Sequence, residues 1–260
     1  MTEFVVSHPQ KNLYLVTDSH LDREEAPFYE FVAMLNQLEN PQTVVCLGDL
    51  FKVWLAPPKF WGTIHHEVMG AFEALRRRQV EIIFVIGNRE VILPRKWNDF
   101  WKQWFPFTHL VHEDCRLIWG GQRYGMVHGD TINRQDLNYL RWRKIARSLI
   151  FEWIFRSMPV PLARRIAHRL ESSLAQSNQS FKIAFPENEI DRFARSVLQD
   201  VDWYFVGHFH QDREIQLSGV RGKMRIVPDW LSQRAVLKIS PAGEIETLYF
   251  QNGEFVQEKK

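Results

Sequence analysis

The sequence predicts an α/β fold, a mixed sandwich of two sheets with helices outside. Three observations predict it. Apolar runs of strand length alternate with helical patterns over residues 13–86, the rhythm of βαβ units around a parallel sheet. After Asn88 the runs become short and closely spaced and include a Gly-Gly hairpin signal. The composition is that of an ordinary globular chain, 260 residues with 45% hydrophobic and 25% charged side chains. That length suffices for a core burying roughly three quarters of the surface the unfolded chain exposes.

Leu13–Thr17 (LYLVT), Thr43–Leu47 (TVVCL) and Glu81–Ile86 (EIIFVI) read as buried strands. Between them, Pro27–Leu38 places Phe28, Phe31, Val32, Leu35 and Leu38 at helical spacing, and His65–Arg77 reads as a second helix. Arg116–Trp119 and Tyr124–Val127 flank Gly120-Gly121 as a hairpin, and Trp203–Val206 is a further strand. Met224–Val227, Ala235–Ile239 and Ile245–Phe250 read as short strands, mostly antiparallel.

The segment 134–182 stands apart as a helical insert in a core made of residues 1–133 and 183–260. Ile145, Leu149, Ile150, Trp153 and Ile154 form one apolar stripe, and Leu162, Ile166, Leu170 and Leu174 another, with Pro159 and Pro161 between them. From Arg134 to Arg169 the insert carries nine Lys and Arg against Asp136 and Glu152, a local excess hidden by the chain's net charge of +2.

Two cysteines, Cys46 and Cys115, are too few for a disulfide framework and point to buried thiols in a reducing compartment. No run reaches the ~18 to 20 apolar residues that cross a bilayer. The N-terminus carries Glu3 and lacks a basic region followed by an apolar one, so a cytoplasmic location is expected.

Metal-ligand residue types follow five of the strand-like runs: Asp18 and His20; Asp49 within Gly48-Asp49; Asn88 within Gly87-Asn88-Arg89-Glu90; His128 within His128-Gly129-Asp130; and His208 and His210 within Gly207-His208-Phe209-His210. Ligands of α/β sheets bind beyond the carboxyl ends of strands. Carboxylate, amide and imidazole donors together suit divalent Mn, Fe, Zn or Mg. Two such ions ~3.5–4 Å apart clamp a phosphoryl group and acidify a water. Trp54, just after the Gly-Asp pair, stands either beside this site or in the core.

This motif order resembles the calcineurin-like metallophosphoesterase superfamily. The resemblance implies a two-sheet sandwich flanked by helices, with one ion held by Asp18, His20, Asp49 and His210 and a second by Asp49, Asn88, His128 and His208. In that superfamily the third motif usually ends in His, where this chain has Arg89. Arginine gives up no proton near neutral pH but grips phosphate oxygens bidentately. It suits a leaving group that needs little protonation, as in a pyrophosphate.

GDLFKVW, GNRE, HGDTIN and RRIAHRL are similar to the family of UDP-2,3-diacylglucosamine diphosphatases. That resemblance implies hydrolysis of the pyrophosphate of UDP-2,3-diacylglucosamine to lipid X and UMP, in lipid A biosynthesis. Two divalent ions, Mn2+ by preference, supply the nucleophilic water, with Asn88, Arg89, His128 and His208 as catalytic residues. It makes the insert a cap with apolar faces inward for acyl chains. Asp136 and Tyr139, with Ser172 (or Ser173) and Lys182, are the implied substrate contacts. Peripheral contact with the cytoplasmic membrane face is expected, and no nucleic-acid partner. Two rivals remain, a metallophosphoesterase acting on another phosphodiester or nucleotide and a non-catalytic binding scaffold on the same fold.

Overall fold

The computed structural model describes residues 2–93, 97–167, 169 and 185–257. One sheet has seven strands, in the order Glu254–Gln257, Ile245–Gln251, Ala235–Ile239, Asn12–Val16, Pro41–Cys46, Glu81–Val85 and His109–Val111. The last four run parallel to one another, and the first three join antiparallel. The second sheet has six, in the order Thr2–Val6, Cys115–Trp119, Gln122–Val127, Trp203–Val206, Lys223–Ile226 and Arg213–Gln216. A small parallel pair, Trp54–Leu55 with Glu90–Val91, lies apart from both.

Side chains on a strand alternate between its faces, and the layering follows from this. Leu13 and Leu15 face Leu117, Tyr124, Met126 and Phe205 in the core between the sheets. Their neighbours Tyr14 and Val16 face outward, where Phe28, Phe31 and Leu35 of helix Ala26–Gln37 and Val68, Phe72 and Leu75 of helix Thr63–Arg77 cover them. On the far side, Tyr204, Val206, Met224 and Ile226 meet Ile190, Ala194 and Leu198, the first two from helix Glu187–Val197. The order is helices, sheet, sheet, helix.

The Gly120-Gly121 turn has φ of 56° and 84°, the two positive values a tight two-residue hairpin needs. Lys223–Ile226 has the expected antiparallel pairing on one side, with Arg213–Gln216, and pairs parallel with Trp203–Val206 on the other. Trp54 is fully buried in the core, its ring edge-on to Phe51, Phe84 and Phe105.

The insert separates Gln122–Val127 from Trp203–Val206, which lie side by side and parallel and so need a long crossover. It contributes helices Leu137–Ala146 and Leu149–Ser157 and a helical stretch at 160–167. Its apolar stripe does not turn inward as expected: Ile150 is 72% exposed and Trp153 70%, with Ile145 and Leu149 also exposed. The opposite face does the packing. Phe151 and Phe155 stack and close onto Leu55, Phe60 and Ile92 of the body. Two apolar faces on one helix fit the pattern equally well, and the aromatic one wins the interior because it has a matching apolar wall.

Candidate metal centre

The five strand ends meet at one edge of the sandwich. The seven-stranded sheet brings Asp18 and His20, Asp49 and Asn88, and the six-stranded sheet brings His128, His208 and His210. Asp18, Asp49 and His128 are buried, and the others are partly open.

The backbone turns sharply to aim these side chains. Asp18, His20, Asp49, His208 and His210 all have φ between 45° and 69°, a left-handed region that non-glycine residues rarely enter and that clusters at functional sites. A Cβ on Gly87 would stand 2.4 Å from Asp49 Oδ1, so only glycine lets the second and third motifs approach.

The donor atoms converge. Asp18 belongs to two sets whose ligand atoms lie within 4.8 Å of one another, one with His20 and His210 and one with His128 and His208. Asp49 spans the same two groups: Oδ2 is 3.8 Å from His20 Nε2, and Oδ1 is 3.5 Å from His128 Nε2. Asn88 Oδ1 is 3.0 Å from His128 Nε2. The sequence resemblance gives the shared role to Asp49 alone, whereas this geometry brings Asp18 toward both groups as well.

Burial pushes the Asp18 carboxyl up, but the neighbouring imidazoles of His20, His128 and His210 hold it well below the usual carboxylate range. Burial lowers His128, yet Asp49, Asp18, Asp130 and Glu90 together raise it to about 9. Burial and the adjacent His128 push His208 down to about 4.

A divalent cation fits this donor set. Asp18 Oδ1 and His20 Nε2 are buried, lie 3.6 Å apart and make no hydrogen bond among the described residues, an arrangement that is destabilising unless something else binds those atoms. The outer nitrogens are already committed. His128 Nδ1 lies 2.7 Å from the Leu47 carbonyl and His210 Nδ1 3.4 Å from Asp229 Oδ2, contacts that orient a ring and leave Nε2 as the ligand.

Asp229 was not among the residues singled out in the sequence. It is fully buried, caps helix Trp230–Gln233 by accepting from Ser232 N at 2.7 Å, and is held down to about 2 despite burial by His210, Gln233 and Ser232. Its only sequence signal is an Asp directly before a short helical turn. Glu90 is the other omission. Its carboxylate accepts from the backbone N–H groups of Gly87, Asp49 and Leu50 at 2.7–3.0 Å and so ties the second motif to the third. Burial and Asp49 raise its pKa to about 8.

The implied substrate contacts fare differently. Asp136 Oδ1 caps the first insert helix by accepting from Tyr139 N at 2.9 Å. Tyr139 is buried and gives its hydroxyl to Asp130, which also takes Arg143 Nε at 3.1 Å. Tyr139 thus fastens the insert to the loop that carries His128. Ser172, Ser173 and Lys182 lie outside the described residues.

Two cavities adjoin the centre. One, of about 470 Å³, is lined by His20, Asp22, Arg23, Lys52, Arg89 and His210 among others. The other is an apolar slot between body and insert, lined by Val53, Leu55, Val91, Trp142, Phe151 and Phe155, with Asn88, Arg89 and Lys52 at its polar end. Among the described residues no helix is long and apolar enough to cross a membrane.

The chain is similar to known proteins. The family model "Calcineurin-like phosphoesterase" matches residues 11–212. A UDP-2,3-diacylglucosamine hydrolase of Klebsiella pneumoniae is 26% identical over 90% of this chain and 97% of its own. One of Aeromonas salmonicida is 28% identical over 87% and 89%. Among solved structures, Vps29 of Entamoeba histolytica is similar with a TM-score of 0.48 at 13% identity, covering 95% of this chain and 97% of that one.

Proposed function

Because this chain belongs to the calcineurin-like phosphoesterase family, we propose that it hydrolyses the pyrophosphate bond of UDP-2,3-diacylglucosamine, giving 2,3-diacylglucosamine 1-phosphate (lipid X) and UMP, as a step of lipid A biosynthesis. The observation that carries this reading is the position of Arg89, between a cluster of metal-ligand side chains and an apolar slot. The relatives named UDP-2,3-diacylglucosamine hydrolase support it across almost the whole chain.

Two divalent ions, Mn2+ in this reading, would be held by Asp18, His20, Asp49, Asn88, His128, His208 and His210. When bound they lower the pKa of a water and draw charge from the phosphoryl oxygens. Arg89 keeps a planar cation at the boundary of slot and centre, where it holds non-bridging oxygens and stabilises the charge that develops on the leaving phosphate. Asn88 and His208 orient the phosphoryl group. Phe151, Phe155 and Trp142 exclude water from the acyl side. Each buried methylene contributes ~0.8 kcal/mol there, and part of that binding energy serves to align the pyrophosphate. Asp136, with Oδ1 in the helix cap, offers Oδ2 to the sugar, and residues 134–182 act as the cap.

Membrane contact belongs to the same reading. The exposed Ile150 and Trp153 lie on the same insert as the exposed Arg141 and Lys144, a combination of apolar and basic groups that suits an anionic lipid surface on the cytoplasmic side.

The test is to offer Mn-loaded protein a panel of UDP-sugars with and without acyl chains. The diacylated substrate should give UMP and lipid X with a much higher kcat/KM than deacylated UDP-glucosamine. Equal rates on the two would overturn the lipid assignment in favour of a general nucleotide hydrolase.

A further inference from the structure

We infer that Asp22, Arg23 and Lys52 form an edge that reads the uracil base in the polar cavity beside His20 and His210. The assignment rests on the substrate proposed above. The two cavities at the centre share only Lys52 and Arg89 among their described lining residues. A pyrophosphate with a lipid on one end and a nucleoside on the other must cross this shared boundary. The apolar slot has only about 30 Å³ and must widen to take acyl chains; with the lipid on that side, the nucleoside falls in the cavity of about 470 Å³, a size within the ordinary range for small-molecule sites.

That cavity carries a chemical pattern matching one base. Asp22 Oδ2 accepts from Lys52 Nζ at 3.1 Å and lies 3.8 Å from Arg23 Nε. Oδ1 of the same carboxylate accepts no hydrogen bond among the described residues. Both cations gather at Oδ2, and Arg23 Nη1 also lies 3.9 Å from Glu25 Oε1, so Oδ1 is left as an acceptor with cationic donors to one side of it. The pairing edge of uracil presents the complement, a donor N3–H between the acceptors O2 and O4. Cytosine presents a lone pair at N3, which the Asp22 carboxylate repels, and an amine at position 4, which opposes a cationic donor. Asp22 and Lys52 are part-exposed, with side-chain accessibilities of 29% and 42%, so a ligand can reach them. Their mutual ion pair holds them in place for it.

The experiment uses Mn-loaded, full-length protein and calorimetric titration with UMP, CMP and AMP, alongside hydrolysis of UDP-2,3-diacylglucosamine. A hydrogen bond to a charged group corresponds to roughly tenfold or more in affinity. UMP should bind the wild type at least about tenfold more tightly than CMP or AMP. Asp22→Asn, which turns one acceptor into a donor, should weaken UMP by about the same factor and bring UMP and CMP close to parity. Arg23→Ala should weaken UMP less, and both variants should retain the wild-type manganese content. Equal binding of UMP and CMP by the wild type, or UMP binding by Asp22→Asn at wild-type strength, overturns the subsite. If the wild type prefers UMP but leaves UDP-2,3-diacylglucosamine intact, the subsite stands and the proposed substrate falls. If it hydrolyses that substrate without preferring UMP, the substrate stands and the subsite falls.

Discussion

Arg89 holds Asp49 twice. Its backbone N–H donates to Asp49 Oδ1 at 2.8 Å, and its guanidinium Nε lies 3.7 Å from Oδ2 of the same carboxylate. The main-chain contact fixes the carboxylate whatever side chain follows Asn88, so a side-chain change at this position alters charge and reach without dismantling the donor cluster.

Arg89→Lys keeps the charge and loses the planar fork. It should raise the barrier by ~2–4 kcal/mol, about 30- to 10³-fold in kcat, while manganese content stays unchanged. The pH-rate profile should keep both limbs. Steady-state kinetics with metal analysis checks this, and a fully active lysine variant would leave Arg89 a purely structural part.

Asp49→Ala removes the carboxylate lying between His20 and His128. One ion per chain should remain instead of two, with turnover down by ~10³ or more. Elemental analysis after gel filtration measures the stoichiometry. Two retained ions with near-normal turnover would sink the dinuclear assignment.

Glu90→Gln places an amide N–H₂ against backbone donors that now meet carboxyl oxygens. The variant should lose ~1–3 kcal/mol of stability and bind metal more weakly, because the loops of Asp49 and Asn88 are no longer tied. Urea denaturation of the metal-free protein reads the first effect, and a wild-type midpoint would show that Glu90 does not tie the two loops.

Above about pH 7, where the lowered His208 and His65 imidazoles are already neutral folded or unfolded, metal-free protein should lose stability as pH rises. His128 sits at about 9 against an unfolded value of 6.5, so its contribution is complete below 6.5 and disappears as pH passes 9. Glu90, raised to about 8 from 4.5, acts with the same sign. Metal binding competes for the same His128 nitrogen, so apparent affinity should climb by up to about tenfold per pH unit for each proton displaced. Melting temperatures and metal titrations at pH 6, 7.5 and 9, with chelator-treated protein, test both slopes. A flat stability curve would contradict the environment assigned to His128.

Trp153→Asp, on the exposed face of the insert, should leave melting temperature and hydrolysis of detergent-dispersed substrate near wild type. If this face meets lipid as proposed, binding to vesicles containing anionic lipid should fall several-fold, because one large apolar group is lost from the exposed patch. Sedimentation with vesicles measures it. Unchanged co-sedimentation would remove the membrane role from this face.

That these donor side chains converge was legible in the sequence, because each candidate ligand follows an apolar run of strand length and Gly48, Gly87 and Gly207 mark where the chain must turn. The helices 26–37 and 63–77 announced themselves through apolar spacing. Strand Thr2–Val6 did not, since it lies at a sheet edge with three of its five residues exposed, and the apolar Val5 on its outer face hides the alternation with Phe4 and Val6. Asp229 was invisible for another reason. It joins the site through folding, 19 residues beyond His210, and no spacing rule links an orienting carboxylate to its histidine. The insert's orientation was misjudged because an amphipathic pattern states that two faces differ without saying which one meets the body.

The left-handed backbone at Asp18, His20, Asp49, His208 and His210 filters the amino-acid alphabet a second time. Chemistry alone would accept aspartate, glutamate, histidine, cysteine or asparagine as donors. At φ near 50° the tolerated side chains are glycine and the short or planar polar residues, aspartate, asparagine and histidine. The overlap of the two sets is only aspartate, asparagine and histidine. Drift at these positions is therefore confined to a handful of neighbours, and glutamate at position 18 or 49 would suffer twice, from its longer reach and from the turn beneath it.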